Sequence, residues 1–542
     1  NDFPSHISNI LIVVPPALKE NWEETLDKFQ LHNYKIVTNG SLHKITDAEK
    51  YDLIIVDEAH KFRNDTAEAY NELQKICKTK TKRRLKDGSK ADKKVMLISA
   101  TPLNNRPEDI ANQVYLFQDS KDSTLEVSNL QHFFRKHIDD YKKLKDNPDI
   151  RLVQEGVKVI YKEIREKVIQ PLTVRRTRSD LNEHELYKSD LDSQGIIFPD
   201  IEKPKKIFYE LDAELDALYD KTMILLSHEK EGIKYLRYQA IKFLKEEKKA
   251  KYKNADVASQ ALAKLMKTLL VKRIDSSFHA FKESLNRFTI ATEAMTKMFA
   301  NGTVYIAPNL NVNEYVMEER EDELLTKMIA LQPTDPTIEI CSADDFIAGF
   351  AEGLQRDFEI LTELNIAWQK IEQDPKLDEF IRRLDTELLQ KDINPAQKLV
   401  VFSESKETTT HIVKHLKAKG RNDVLEIHSD NRDRLKKTIR DNFDANIPRE
   451  NYKNDFNIII ATEVLAEGVN LHRSNVIVNY DTPWNSTRLM QRIGRVNRIG
   501  SVAPKVYIFN FYPTAKVNSD IELEKKAIMK LQAFHSALGE DS

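Results

Sequence analysis

Residues 51–62 read YDLIIVDEAHKF, an apolar run from Leu53 to Val56 that stops at two carboxylates, Asp57 and Glu58, before Ala59 and His60. Short β-branched runs bounded by polar residues suit strands buried on both faces of a parallel sheet. In open sheets of that kind, ligands collect beyond the carboxyl ends of the strands, where these two acids fall. An Asp at a strand end can hold a magnesium ion through water, and the next residue, pointing the other way, can polarise an attacking water. The same letters also suit a plain strand end running into an acidic helix start, because carboxylates are favoured at the positive end of a helix dipole.

Moving outward, ILIVV at 10–14 and VMLI at 95–98 read as further strands, followed at once by PPALKENW and SATPLNN. All three polar signatures are expected to face one crevice. In Ser99-Ala100-Thr101, Ser99 and Thr101 put hydroxyls at that edge, placed to sense the DEAH turn, and Pro102 ends the strand. A second group of runs, LVVF at 399–402, VLEI at 424–427, NIIIA at 457–461, NVIVN at 475–479 and KVYIF at 505–509, predicts a second α/β lobe. Between the lobes, residues 205–300 contain no proline and a single glycine, Gly232, which favours long helices. Leu262, Leu265, Met266, Leu269, Leu270, Ile274, Phe278, Phe281, Leu285 and Phe288 follow helical spacing and predict one apolar face of a packed helical insertion.

At 542 residues the chain has room for about three or four domains. Charged residues make up 31% but the net charge is only -2, so any nucleic-acid contact must come from a local basic surface. Cys77 and Cys341 are too few for a disulfide framework or a zinc cluster and fit a reducing cytoplasm. No stretch approaches the roughly 20 apolar residues of a membrane span. The chain starts without methionine and enters a strand almost at once, which reads as a piece of a longer protein.

Far from the DEAH turn, residues 480–501 read YDTPWNSTRLMQRIGRVNRIGS. On a helix, Arg495 and Arg498 fall on one face with Gln491 a turn earlier. Phosphoryl transfer needs positive groups aimed at the γ-phosphate, and arginines supplied across a cleft provide them. Arginines at this spacing also serve as an ordinary solvated or salt-bridged face. Gly494 is expected to permit close backbone approach, and ATEVLAEGVNL at 461–471 adds a strand, acids and Gly468 to the same lobe.

VVPPALKENW, DEAH, SATPLNN, ATEVLAEGVNL and QRIGRVNRIG, in that order, resemble motifs Ia, II, III, V and VI of superfamily 2 helicase-like ATPases. More narrowly, PLTVRRTRSDL at 171–181, FPDIEKPKKIFYELD, LYDKTM and YDTPWN resemble the Swi/Snf type, and LLVKRIDSSFHAF at 269–281 resembles its bacterial members. The likeness is weakest over roughly 300–390. It implies an α/β protein of two RecA-like lobes with parallel sheets and a large helical insertion, with ATP clamped between the lobes and nucleic acid, expected to be double-stranded DNA, across both. Carried onto this chain, Asp57 binds Mg2+ through water and Glu58 activates the hydrolytic water. His60, Ser99, Ala100, Thr101 and Gln491 couple that site to the nucleic acid, Glu467 and Gly468 lie near the nucleotide, and Arg495 and Arg498 are the arginine fingers. The domains expected are lobe 1 over 1–120, a helical extension and connector over 121–204, the helical insertion over 205–390 and lobe 2 over 391–542. A cytoplasmic motor that displaces proteins from DNA follows from the likeness. A non-catalytic DNA-binding module and the motor subunit of a restriction or defence enzyme are the alternatives.

None of the 13 glycines precedes a lysine, so the phosphate loop Gly-x-x-x-x-Gly-Lys-[Ser/Thr] is missing from this sequence. Family order places it upstream of VVPPALKENW, and this chain alone is therefore expected not to hydrolyse ATP. Among weaker features, the basic run from Lys78 to Lys94 is read as a solvated loop, with phosphate binding as its functional alternative. Arg175, Arg176 and Arg178 are expected to fix the connector against a lobe. His411 and His415, four apart, lack the third ligand a zinc site needs. Trp22 and Trp484 are taken as packing residues.

Overall fold

The computed structural model describes residues 9–64, 67–99, 106–145, 150–174, 178–196, 198–228, 231–252, 255–306, 339–465, 468–481 and 486–512. The first lobe is a parallel sheet of β1 (Ile10–Val14), β2 (Tyr34–Thr38), β3 (Leu53–Val56) and β4 (Lys94–Leu97) in the order β2-β1-β3-β4. Val13 pairs with Val56, and Val56 with Leu97. The carboxyl ends of β1, β3 and β4 are therefore level, and Pro15, Asp57 and Ser99 fall along one edge as the sequence leads one to expect. The edge strand β2 is absent from the predicted set, because YKIVT carries an exposed lysine in mid-run and lacks a continuous apolar signal.

Two short strands, β5 (Asp200–Ile201) and β6 (Lys205–Phe208), follow the helical connector, and an antiparallel pair, β7 (Thr303–Ile306) and β8 (Glu339–Ser342), lies in the middle region. The second lobe contributes β9 (Leu399–Phe402), β10 (Val424–Ile427), β11 (Ile458–Ala461), β12 (Val476–Asn479) and β13 (Lys505–Tyr512), in the order β10-β11-β9-β12-β13, with β5 and β6 both added to β13. Thus β6, at the start of the stretch expected to be helical, belongs to the second sheet, with Lys205 opposite Phe509 and Ile207 buried. Every residue of β9, β11 and β12 is buried, as strands covered on both faces require.

Between the sheets, the helices Ala213–Ser227, Ala255–Ser276, Phe278–Ala300 and Phe350–Gln369 enclose a core that includes Met266, Leu270, Phe281, Leu285 and Trp368, all fully buried. Each such apolar side chain contributes roughly 1.5–3 kcal/mol. All ten residues of the predicted apolar face are buried, but on two helices rather than one. Ser277 breaks the run: its backbone is extended, and its hydroxyl accepts the Ala280 N–H at 3.0 Å as an N-cap. The break lets the turn plug into the second lobe. Ser276 Oγ donates to Asp481 Oδ2 at 2.5 Å, and Arg273 and Arg287 both reach the Glu407 carboxylate, at 2.9 and 2.6 Å. Among the described residues, no helix is long and apolar enough to cross a membrane.

Candidate active site between the lobes

Two neighbouring strands pin the DEAH turn. The Asp57 N–H donates to Val13 O at 2.9 Å, and the Ala59 N–H to Ile98 O at 3.0 Å. Between them Glu58 takes a left-handed backbone, φ 49° and ψ 47°, a conformation that costs a non-glycine residue about 1 kcal/mol or more. The two carboxylates have separate side-chain partners, His60 for Glu58 and Trp22 for Asp57.

The Asp57 carboxylate accepts the Trp22 indole N–H on Oδ2 at 2.7 Å and the Glu58 N–H on Oδ1 at 2.8 Å. Trp22, taken from sequence as a packing residue, is thus also a polar anchor of Asp57. A carboxylate offers about four acceptor positions, so Asp57 retains acceptor capacity beyond these two bonds. Magnesium keeps several of its waters and needs only one or two carboxylates beside phosphates, and a carboxylate held in this way fits it.

His60, only 5% exposed, links three groups. Its Nδ1 lies 3.2 Å from Glu58 Oε2 and 3.2 Å from Ser99 Oγ, and its Nε2 lies 3.5 Å from the Gln491 side-chain nitrogen in the second lobe. Burial works to raise the Glu58 carboxyl, but His60, Arg495 and Lys61 outweigh it and hold the carboxyl below the ordinary glutamate range. Ala100 and Thr101 lie outside the described residues, as do Glu467, Arg175, Arg176 and Trp484.

Across the cleft, Gln491 and Arg495 sit on the helix Ser486–Val496, which ends before Arg498. The expectation of one continuous helical face is therefore corrected. Arg498 lies in the turn that follows, and its guanidinium folds back to Gly494 O at 3.1 Å and to Asn470 Oδ1. Burial lowers its pKa, while Asp444 and Glu58 act the other way. Gly494 does not serve close approach, since a Cβ there meets nothing within 4 Å.

The close approach is at Gly468 instead. Its φ is +73°, and a Cβ would fall 2.8 Å from Arg432 Nη2 and 3.4 Å from Ala17 Cβ. The lobes meet there, and an ion pair between Lys436 and Glu20 bridges them beside it. Arg492, which the sequence reading passed over, is fully buried. It donates to Glu463 Oε1 at 2.8 Å, Asn479 Oδ1 at 2.8 Å and Asp481 O at 3.0 Å, fixing the helix that carries Gln491 and Arg495. The acid in ATEVLAEG was the signal that could have identified it. On the connector, Arg178 donates to Asn497 O at 2.6 Å and to Asn497 Oδ1, so it docks on the end of the arginine segment, as structural pairing required. The imidazoles of His411 and His279 stack at 4.4 Å between the insertion and lobe 2.

Residues 379–500 match the helicase conserved C-terminal domain. An uncharacterized ATP-dependent helicase of Bacillus subtilis, YqhH, is 37% identical over 89 residues, 16% of this chain and 15% of that protein. The ATP-dependent RNA helicase DBP2 of Candida glabrata is 30% identical over 135 residues, 25% of this chain and 22% of that protein. The ATP-dependent RNA helicase eIF4A of Meyerozyma guilliermondii is 28% identical over 141 residues, 26% of this chain and 33% of that protein. The chain therefore spans a third or less of the length of each of these relatives. The matched domain contains Gln491, Arg492, Arg495 and Arg498, and with the two parallel α/β lobes it supports placing the chain among the superfamily 2 helicases.

Proposed function

We propose that this chain is the cleft-forming part of an ATP-driven nucleic-acid motor of Swi/Snf type, which moves along double-stranded DNA and remodels protein–DNA complexes. The observation that carries this reading is His60, which touches Glu58 and Ser99 in one lobe and Gln491 in the other. A side chain so placed passes the state of the hydrolytic site to the opposing lobe, which is what a motor needs and a passive binding module does not.

In this reading Asp57 binds magnesium through water, and the metal supplies charge neutralisation on the phosphates. Glu58, held ionised, orients the attacking water. Arg495 and Arg498 compensate charge on the transferred group, and Glu467 and Gly468 line the nucleotide's edge. Such a motor also needs a phosphate loop, Gly-x-x-x-x-Gly-Lys-[Ser/Thr], which these 542 residues do not contain. RNA as the track is a second reading, favoured by the RNA helicases among the relatives.

ATP turnover tests both, measured for this chain and for an N-terminally extended natural form, each alone, with duplex DNA and with duplex RNA. Turnover only by the extended form, stimulated by duplex DNA, is the expected result. Stimulation by RNA alone selects the second reading. An extended form that binds nucleic acid without turnover rejects the motor.

A further inference from the structure

The basic run Lys78–Lys94, expected to be a solvated loop, is a built hairpin. The Thr81 N–H donates to Ala91 O and the Ala91 N–H to Arg83 O, each at 2.9 Å, and the Leu85 N–H to Ser89 O at 2.8 Å. Gly88, at φ +85°, closes the turn onto Leu85 O at 3.0 Å, and the Asp87 carboxylate accepts the Ser89 N–H and hydroxyl at 2.9 and 2.7 Å. The base is locked into the lobe: Thr81 and Ala91 are buried, and Lys93 Nζ donates to Ile76 O and Thr79 O at 2.9 and 2.5 Å.

The charges on this hairpin divide into two sets. Lys82 and Lys90 face the Glu49 carboxylate at 3.6 and 3.4 Å, and Lys80 faces Asp92 at 3.7 Å. Arg83 and Lys86 have no carboxylate partner among the described residues, and Arg84 binds only a backbone carbonyl, Gly88 O, at 2.9 Å. The lysines near the base thus face carboxylates, Lys82 and Lys90 sharing Glu49, while the exposed tip sets Arg83, Arg84 and Lys86 against the single Asp87 carboxylate and stays net positive.

The register also separates the tip from the cleft. Lys94 lies opposite Leu53, the first residue of β3, whereas Asp57 follows the last. The hairpin therefore projects from the far end of the sheet, about 13 Å or more from the DEAH turn at ~3.3 Å per residue.

We propose that the tip, Arg83, Arg84 and Lys86, is a second nucleic-acid contact that grips the sugar-phosphate backbone of duplex flanking the segment held across the lobes. This rests on the nucleic-acid reading above. A chain of net charge -2 offers no general attraction to a polyanion, so a rigid, concentrated cationic tip is the feature suited to one. Because the hairpin is preformed, little ordering cost opposes binding.

The test is the salt dependence of binding by the full chain to duplexes of about 40 base pairs, one DNA and one RNA, between about 50 and 200 mM NaCl. The variants are a triple Arg83→Gln, Arg84→Gln, Lys86→Gln, a charge-keeping Arg83→Lys, Arg84→Lys, and Lys80→Gln as the neutralised-lysine control. The triple variant is expected to bind about 10- to 100-fold more weakly and to lower the log–log salt slope by roughly 2–3, with an unchanged melting temperature, while the other two follow the wild type. A triple variant with the wild-type slope on both duplexes overturns the hairpin contact and leaves the motor reading standing. A wild type that binds neither duplex in a salt-dependent way overturns both. Loss of binding to polyglutamate but to neither duplex overturns the proposal in favour of an acidic protein partner.

Discussion

His60 and Gln491, 431 positions apart in sequence, meet across the cleft, with His60 Nε2 3.5 Å from the Gln491 side-chain nitrogen. On the other side of the same ring, Nδ1 is 3.2 Å from Glu58. The imidazole thus links the Glu58 carboxylate to the opposing lobe. Replacing Gln491 with Ala is expected to lower nucleic-acid-stimulated ATP turnover of the motor-competent protein about tenfold, with nucleotide affinity unchanged within about twofold. Titration of turnover against duplex concentration checks this, and equal losses with and without duplex would place Gln491 in nucleotide binding instead.

Trp22→Phe keeps the ring's packing but removes the only side-chain hydrogen bond that the structure gives to Asp57 among the described residues. Loss of a partner that orients a metal-binding carboxylate typically costs 10- to 100-fold in metal affinity or activity. The magnesium concentration for half-maximal turnover should rise by that factor, with the melting temperature within about 2 °C of the wild type. An unchanged magnesium dependence would show that Trp22 serves packing alone.

The insertion's seat on lobe 2 gives two pH effects of opposite sign. Burial pushes the Asp275 carboxyl up to about 6, with Lys376 working against the shift. Its folded pKa lies above the unfolded value near 3.9, so it weakens the fold progressively as pH rises from about 4 to 6, and fully above that. Asp275→Asn should therefore raise stability at pH 7–8, on the order of 2 kcal/mol, and flatten the pH 4–6 slope in urea unfolding. Burial also works to raise Glu407, but Arg273 and Arg287 outweigh it and hold it at about 2. Its contribution is present above about pH 4.3 and fades as pH falls toward 2, and Glu407→Gln should cost on the order of 3 kcal/mol at neutral pH.

Arg178 ties the connector to Asn497, three residues after the helix that carries Gln491 and Arg495 has passed Gly494. A charged donor lost from such a half-buried contact is worth roughly 1.5–3 kcal/mol. Arg178→Ala is expected to expose residues 171–196 to limited proteolysis ahead of the rest of the chain. Cleavage at the wild-type rate would show that Arg178 does not fasten the connector.

The strands that end at the cleft were legible in the sequence because their apolar runs are short and bounded by polar residues. Ile458 to Ala461 is buried throughout, whereas Leu53 to Val56 alternates buried and half-buried residues. Strands β2 and β6 were not legible, since an edge strand needs only one apolar side and Lys35, Lys205 and Lys206 interrupt the run. Of the residues the motifs name, Glu58 and Ser99 each lie 3.2 Å from His60 Nδ1, and Gln491 and Arg495 lie on one helix of the opposing lobe. Their supports were harder to see. Trp22 and Arg492 act through partners 35 and 29 positions away, respectively, and no local periodicity reports such pairings. The serine break at 277 was hidden for a related reason, because the apolar spacing runs straight through it while the hydroxyls face the other lobe.

The central claim is that the DEAH turn and the arginine segment form two halves of one hydrolytic site. Its most direct test is ATP turnover of the motor-competent protein as wild type, Glu58→Gln, Arg495→Ala and the double variant, at saturating magnesium and duplex. Each single substitution is expected to reduce turnover by about 100-fold or more, and the double to fall no further than the worse single, as for groups acting on one transition state. Turnover within about twofold of the wild type in either single variant would contradict the claim.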